Sequence, residues 1–289
     1  MALITESEYK IKKNKITYWI IIAVLAVGIV VQIFPFVWLI SSSLKGVTDI
    51  FELPPRLIPK QIHFENYSQV LHMIPLWRYF YNTMFIAVFT IILQIGVSTL
   101  AAYSLSKMRP KYGNAVMLFF LATMMIPDGA TIIPRYLMMA DFPITGWNLI
   151  NNPLSLILPG AAWAWPIFLL KGFFDGLPNE LFEAIRIDGA SRFRTLVSLL
   201  VPLSKPIFAV CILQTFLGVY NQFIIPLVMM PESKHWTLMV AIYNLQASGN
   251  FGWQYIMVLL VFSTIPLLLA FLFAQKYLVQ GISMTGLKG

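Results

Sequence analysis

The residues best suited to chemistry lie in one charged stretch and at a few polar positions inside apolar runs. The stretch reads PNELFEAIRIDGASRFRTLVSLLVPLSKP from Pro178 to Pro206. Glu180, Glu183 and Asp188 offer carboxylates, while Ala184, Gly189 and Ala190 offer small residues on which another backbone can pack. Two chemistries suit this pattern. One is an interfacial hairpin lying on lipid head groups; the other is a docking element for another protein. The acidic residues and the close-approach glycine favour docking. The polar positions are Gln94, Gln214, Asn221 and Gln222, with Asp128 and Arg135 seven apart. Polar groups inside apolar runs are costly and are usually interhelical or functional. Asp128 and Arg135 are expected on one helical face, paired or snorkelling.

Other chemistries are excluded by what the sequence lacks. No G-x-x-x-x-G-K-[ST] loop is present, so the chain is not itself a nucleotide hydrolase. Neither H-E-x-x-H nor G-x-S-x-G occurs, and His63, His72 and His235 all fall between the apolar runs. No metal is implied. Cys211 is the only cysteine, so there is no disulfide framework.

These residues must be positioned by membrane helices. Of 289 residues, 58% are hydrophobic and 11% charged, against about 25% charged in ordinary soluble domains. Such a chain cannot cover a soluble surface, and it is too hydrophobic for disorder. Six apolar intervals each reach the roughly 20 residues a bilayer-spanning helix needs. They run 15–45, 78–107, 112–138, 141–171, 205–232 and 234–276, the last narrowing to Trp253 to Tyr277. The first is too long for a signal peptide and lacks a cleavage site. Continuous apolar runs exclude a β-barrel. The expected fold is therefore all-α, a single membrane domain over 1–289 with six transmembrane helices.

Basic residues set the orientation. With six spans, Lys10, Lys12, Lys13, Lys15, Lys107, Arg109, Lys111, Lys171, Arg186, Arg192, Arg194, Lys205, Lys276 and Lys288 share one side. Only Lys45, Arg56, Lys60, Arg78, Arg135 and Lys234 lie on the other. Both termini are expected in the cytoplasm, and so is the 175–205 loop between spans four and five. The +8 net charge is thus a topology signal and does not imply nucleic acid. Within the loop, Asn179 is expected to cap a helix carrying Leu181, Ala184, Ile185 and Asp188 at helical spacing. Gly189 ends it, and an amphipathic helix follows with Phe193, Leu196, Val197 and Leu200 on one face.

The loop resembles the EAA motif of permease subunits from binding-protein-dependent ABC importers. Glu183-Ala184-Ile185, Gly189, Leu199 and Val201-Pro202 keep that motif's spacing, with Ile185, Leu199 and Val201 as apolar replacements. The resemblance extends along the chain, from Phe34-Pro35-Phe36-Val37-Trp38 through Ser43-Leu44-Lys45 to Asn66-Tyr67 and Asn82-Thr83. It continues through Ala101-Ala102-Tyr103-Ser104-Leu105, Asn221-Gln222-Phe223 and Pro226-Leu227. Tyr220 stands where the family has Trp, and Gln222 where it has an acidic residue. The ending Gly286-Leu287-Lys288-Gly289 is similar to that of the smaller maltose-type permease subunit.

The resemblance implies a multi-pass permease of a bacterial or archaeal plasma (inner) membrane, importing sugars or oligosaccharides. It implies a second homologous permease, two copies of a cytoplasmic ATPase and an extracytoplasmic sugar-binding protein. ATP and Mg would sit on the ATPases, and this chain would bind no cofactor and catalyse nothing. Glu180, Glu183, Ala184, Ile185, Asp188, Gly189 and Ala190 would contact the ATPase. Gly286, Leu287, Lys288 and Gly289 would reach between the ATPase subunits. Gln246, Ala247, Ser248, Gly249 and Asn250 would form the tip of a binding-protein loop. Tyr220, Asn221 and Gln222 would line the sugar path; Gln94 and Gln214 are read from their positions as interhelical hydrogen-bonding residues, and Asp128 and Arg135 as a pairing or snorkelling couple, with a charged-sugar path as the alternative. The competing readings are a stand-alone secondary transporter and an intramembrane enzyme.

Overall fold

The computed structural model describes residues 12–285, with side chains over 15–277. Among the described residues every regular element is helical. The described residues form two compact units, one from residues 12–74 and 248–262 and the other from 75–247 and 263–285.

The first unit opens with α1 (Lys12–Ser43). Beyond Lys15 this helix is apolar on all sides, and none of the 18-residue apolar window at its centre is buried within the chain. A helix without a polar face needs lipid or another protein around it. Its end is held firmly, however. A short α2 (Val47–Ile50) and an irregular, proline-rich segment lead to α3 (Glu65–Met73). Buried Asn66 donates Nδ2 to the carbonyls of Ser43 and Lys45, both at 3.0 Å. These carbonyls lie at the open end of α1, so Asn66 supplies partners the helix itself cannot. Tyr67 Oη lies 2.7 Å from Ser43 Oγ. Lys45 is 1% exposed; its Nζ donates to the Arg56 carbonyl at 2.5 Å and sits 4.3 Å above the Trp38 ring. Burial lowers its pKa against the pull of Asp49. Tyr255, on the final helix, donates to Gln69 Oε1 at 2.5 Å within the same unit.

The second unit is built on α4 (Leu76–Tyr103), which continues through a π-helical turn to Met108. Around it pack α5 (Gly113–Thr123), α6 (Ile132–Ala140), α7 (Leu154–Gly160) and α8 (Ala164–Asp175). Next come α9 (Asn179–Ile187), α10 (Arg192–Thr195), α11 (Val201–Leu203), α12 (Lys205–Tyr220), α13 (Ile224–Met229) and α14 (Leu238–Ala247). The last helix, α15 (Trp253–Thr285), runs through both units. One apolar cluster gathers Ile86, Met139, Leu149, Ile157, Met229 and Met230. Another gathers Ala102, Tyr103, Leu170, Phe174, Phe182, Leu196, Leu200 and Cys211. Between them α4 carries a buried polar stripe of Thr83, Thr90, Gln94 and Ser98.

Among the described residues four helices are long and apolar enough to cross a membrane: Lys15–Ser43, Leu76–Met108, Leu154–Asp175 and Trp253–Tyr277. Two bent pairs raise the number to six if each is one span. The sequence is expected to give six spans, and local chemistry explains the bends within them. Gly113–Thr123 and Asp128–Ala140 meet at 93°. Pro127 (φ −61°, ψ 134°) is extended there, and it biases Ile126 away from helix as well. The 141–171 interval becomes helical only at Leu154. Its first part is turned by Asn148, whose Oδ1 accepts from Ile150 N at 2.8 Å, and by Asn152, which accepts from Leu154 N at 3.0 Å. The 205–232 interval stops at Tyr220 and restarts as α13. Its entry is bent by 80° between Arg192–Leu203 and Lys205–Tyr220, where Pro206 opens α12.

Candidate functional site

Two regions hold the residues singled out by sequence. The first is α9 and its turn. Asn179 is not its cap; it is the first helical residue, and its Oδ1 accepts from Lys107 Nζ at 3.2 Å. Lys107 also donates to the Leu177 carbonyl at 2.9 Å and lies 4.5 Å above the Phe182 ring. Phe182 is the residue α9 buries, while Leu181 of the expected face is exposed. Sequence spacing missed this because a nine-residue helix shows barely two turns of pattern. The available signal was the lone aromatic of the Asn179–Ile187 segment.

The end of α9 is fixed by backbone geometry. Gly189 adopts φ +76°, its N–H donates to the Arg186 carbonyl at 3.0 Å, and Ala190 N–H donates to the Ile185 carbonyl at 3.1 Å. This is a Schellman arrangement, for which glycine is the favoured left-handed residue. A Cβ at Gly189 would meet nothing within 4 Å, so within this chain the glycine serves the turn. Glu180, Glu183, Ala184, Asp188 and Gly189 are exposed; Ile185 and Ala190 are half-buried. Glu183 and Asp188 form no ion pair or side-chain hydrogen bond among the described residues. Ser191 Oγ then caps α10, accepting from Arg194 N at 3.2 Å. The expected single apolar face beyond it is split. Leu196 and Leu200 are buried, whereas Phe193 and Val197 are exposed, because the π-helical turn Leu196–Leu200 rotates the register.

The second region is a cavity of about 290 Å³ in the second unit. Its walls come from α4, α6, α7 and α12 and from the turns beside them. Thr90 and Gln94 face it from the polar stripe, with Asp128, Arg135, Trp163 and Gln222 around them. Gln94 braces the wall: its Nε2 donates to the Gly160 carbonyl at 2.9 Å, and its Oε1 accepts from Thr215 Oγ1. Gly160 must be glycine here, since a Cβ would stand 2.8 Å from Thr90 Cγ2. The bend at Pro127 corrects the expectation for Asp128 and Arg135. Asp128 starts a 3-10 turn (Asp128–Thr131) and Arg135 lies on α6, so they do not share one helix face. They line the same cavity without forming an ion pair, and Arg135 Nη2 donates to Thr131 Oγ1 at 3.3 Å.

The remaining sequence candidates scatter. Tyr220 is 1% exposed and donates to the Ser263 carbonyl at 2.7 Å, away from the cavity. Asn221 is exposed and donates to the Leu217 carbonyl at 3.0 Å, and Gln214 is exposed on α12. Of the Tyr220 to Gln222 trio, Gln222 lines the cavity. Gln246 and Ala247 end α14, whose Leu238, Val240, Ala241 and Ile242 are buried. The segment leading to the expected tip is a packed helix, while Gln246 to Asn250 are exposed. It is moored by Asn82, which donates to the carbonyls of Lys234 and Trp236 at 3.0 Å each, and by Thr83 Oγ1, which accepts from Leu238 N at 2.8 Å. Ser248, Gly249 (φ +66°) and Asn250 follow as an exposed turn. Gly286, Leu287, Lys288 and Gly289 lie outside the described residues. Among the described residues no cluster of His, Cys, Asp and Glu is arranged to hold a metal.

Comparison with known proteins places this architecture. The chain is 32% identical over 265 residues to the trehalose/maltose transport system permease protein MalG of Thermococcus litoralis, covering 90% of this chain and 93% of that one. It is 30% identical over 258 residues to the melibiose/raffinose/stachyose import permease protein MelC of Bacillus subtilis, covering 88% and 91%. Its fold matches a chain in the crystal structure of a bacterial ABC transporter involved in the import of the acidic polysaccharide alginate. That match has a TM-score of 0.80 at 23% identity and covers 96% of this chain and 100% of the other. The family described as binding-protein-dependent transport system inner membrane component matches residues 94–284, so this all-helical, multi-pass chain belongs to that family of permease subunits.

Proposed function

We propose that the chain is the membrane permease subunit of an ATP-driven importer that passes sugars or oligosaccharides from an extracytoplasmic binding protein to the cytoplasm. The observation that carries this reading is α9: a short helix with exposed carboxylates, closed by a left-handed glycine and rooted by Phe182 and Lys107 in the helix bundle. A helix exposed at its tip and packed at its root can transmit a partner's motion as a rigid body. In this reading Glu180, Glu183, Ala184, Ile185, Asp188, Gly189 and Ala190 face an ATPase. ATP and Mg are held by two ATPase copies, and a second homologous permease completes the membrane portion. The turn at Gln246 to Asn250 faces the binding protein, and Gly286 to Gly289 reach toward the ATPases. The excess of Lys and Arg on one side of the six expected spans supports cytoplasmic termini, and the family supports a bacterial or archaeal inner membrane. The sugar class comes from the relatives' substrates.

The test is a pull-down of the tagged chain from its native membranes, with mass spectrometry of the recovered proteins. The wild type is expected to bring an ATPase and a second permease. A Glu183→Lys, Gly189→Trp variant is expected to insert and lose the ATPase. Recovery of the chain alone, with transport intact, would return it to a stand-alone transporter.

A further inference from the structure

We propose that the cavity between α4, α6, α7 and α12 is a binding subsite for one neutral sugar ring, held by this subunit's own side chains. The inference rests on the permease reading above and adds where and how this chain touches its cargo. Four observations carry it. First, Thr90 and Gln94 form a polar rib along the cavity wall, with the Gln94 amide fixed in orientation by the Gly160 carbonyl and Thr215 Oγ1. Second, the side chain of Gln222 lines the space and forms no hydrogen bond among the described residues. Third, the polar lining consists of amides, hydroxyls, a carboxylate and a guanidinium, and the half-exposed Trp163 ring stands beside them. Planar polar groups match the adjacent hydroxyls of a sugar, and an aromatic face matches its C–H face. Fourth, the volume of about 290 Å³ equals on the order of ten waters at about 30 Å³ each, the space of a single ring.

The charges select among sugars. Asp128 and Arg135 both face the cavity and do not pair with each other, so the lining carries one charge of each sign. Each can hydrogen-bond ring hydroxyls. A uronate carboxylate would gain Arg135 but meet Asp128, whereas a neutral ring meets no repulsion. Gly218 opens the wall on α12, and a Cβ there would touch nothing within 4 Å. A larger side chain at that position therefore fills the cavity without displacing its backbone.

The experiment measures uptake of ¹⁴C-labelled maltose, trehalose and raffinose, and of ¹⁴C-galacturonate, in the native cells. Strains carry the wild-type chain, a deletion, Gly218→Leu, Gln222→Leu or Asp128→Asn, and pull-down verifies that each variant still recovers the wild-type partners. The expected result is deletion-sensitive uptake of a neutral sugar, cut at least tenfold by Gly218→Leu and about fivefold by Gln222→Leu. Asp128→Asn is expected to raise the galacturonate-to-neutral uptake ratio at least fivefold, a change that loosened packing alone does not produce. Deletion-sensitive neutral uptake that both Leu variants leave at the wild-type rate would overturn the subsite and leave the permease reading standing. Deletion-sensitive uptake of galacturonate alone would overturn the neutral-ring assignment. Uptake of all four probes indifferent to the deletion would overturn both readings.

Discussion

The α9 turn and the α4–α12 cavity use opposite designs. The turn puts its polar residues outward, and its shape comes from a few consecutive residues: Gly189 at φ +76°, two backbone bonds and one buried Phe182. The cavity gathers polar residues inward, from positions as distant as Gln94 and Thr215. Its shape depends on close contacts such as Gly160 against Thr90. One site is local and tolerant at its surface; the other is long-range and strictly packed. Substitutions should therefore act through different quantities in the two places.

The largest expected effect tests the root of the turn. Phe182→Ala removes the buried anchor and is expected to cost about 3–5 kcal/mol, read as a lower midpoint in thermal unfolding of the detergent-solubilised chain. A loss under about 1 kcal/mol would mean that α9 is not rooted through its aromatic ring. Next comes the cavity wall. Gly160→Ala is expected to cost about 1–3 kcal/mol by overpacking, and adding Thr90→Ser should recover most of it by removing the clashing methyl. Failure of that rescue would show that the close approach is not what fixes Gly160. Gln94→Leu strips partners from the Gly160 carbonyl and from Thr215, at an expected cost of about 1–3 kcal/mol. Gly189→Ala should cost about 1 kcal/mol from its left-handed backbone, while Glu183→Lys should leave stability within about 0.5 kcal/mol and still abolish ATPase recovery. That last split, no stability change with lost partner, is the sharpest form of the contrast.

The smallest effect is acid sensitivity on the far side of the second unit. The hydrogen bond from Lys234 holds the Glu232 carboxyl below its ordinary value. Its contribution is present above the usual Glu range, about 4.3, and is lost as pH falls through its own lower value. Glu232 also accepts from Asn151 Nδ2 at 3.1 Å, and its N–H donates to Asn151 Oδ1 at 3.1 Å. Lys234→Gln should weaken the chain slightly at neutral pH, with the difference shrinking in acid, as followed by unfolding at matched ionic strength.

How much was legible in the sequence follows the same division. The all-helical class, four of the apolar helices and the place of α9 are periodic or compositional, and such signals survive in a single sequence. So do the motif residues, now with structural reasons: Asn66 completes the end of α1, and Asn82 and Thr83 moor the segment into α14. The breaks after Thr123 and Tyr220 were less legible, because apolar composition continues across them while the backbone turns. The cavity was hidden further. Gln94 and Gln222 were visible as polar residues in apolar runs, but their convergence with Asp128 and Arg135 depends on the 93° bend. Tyr220 drew attention as a path residue, yet its hydroxyl is engaged with the Ser263 carbonyl. Side-chain type announces polarity; it does not announce direction.

The joint at the end of α1 has a consequence for how such chains can change over time. The helix is secured at its last turn, by Asn66 on the carbonyls of Ser43 and Lys45, while its apolar window buries nothing in the rest of the chain. Everything ahead of Trp38, whose ring lies under Lys45 Nζ, is then an interchangeable part. Its sequence can drift under the single demand of remaining apolar and helical, and a foreign hydrophobic helix spliced in before Phe34 should give a chain that still folds. The joint, a few residues long, is where inheritance must be faithful.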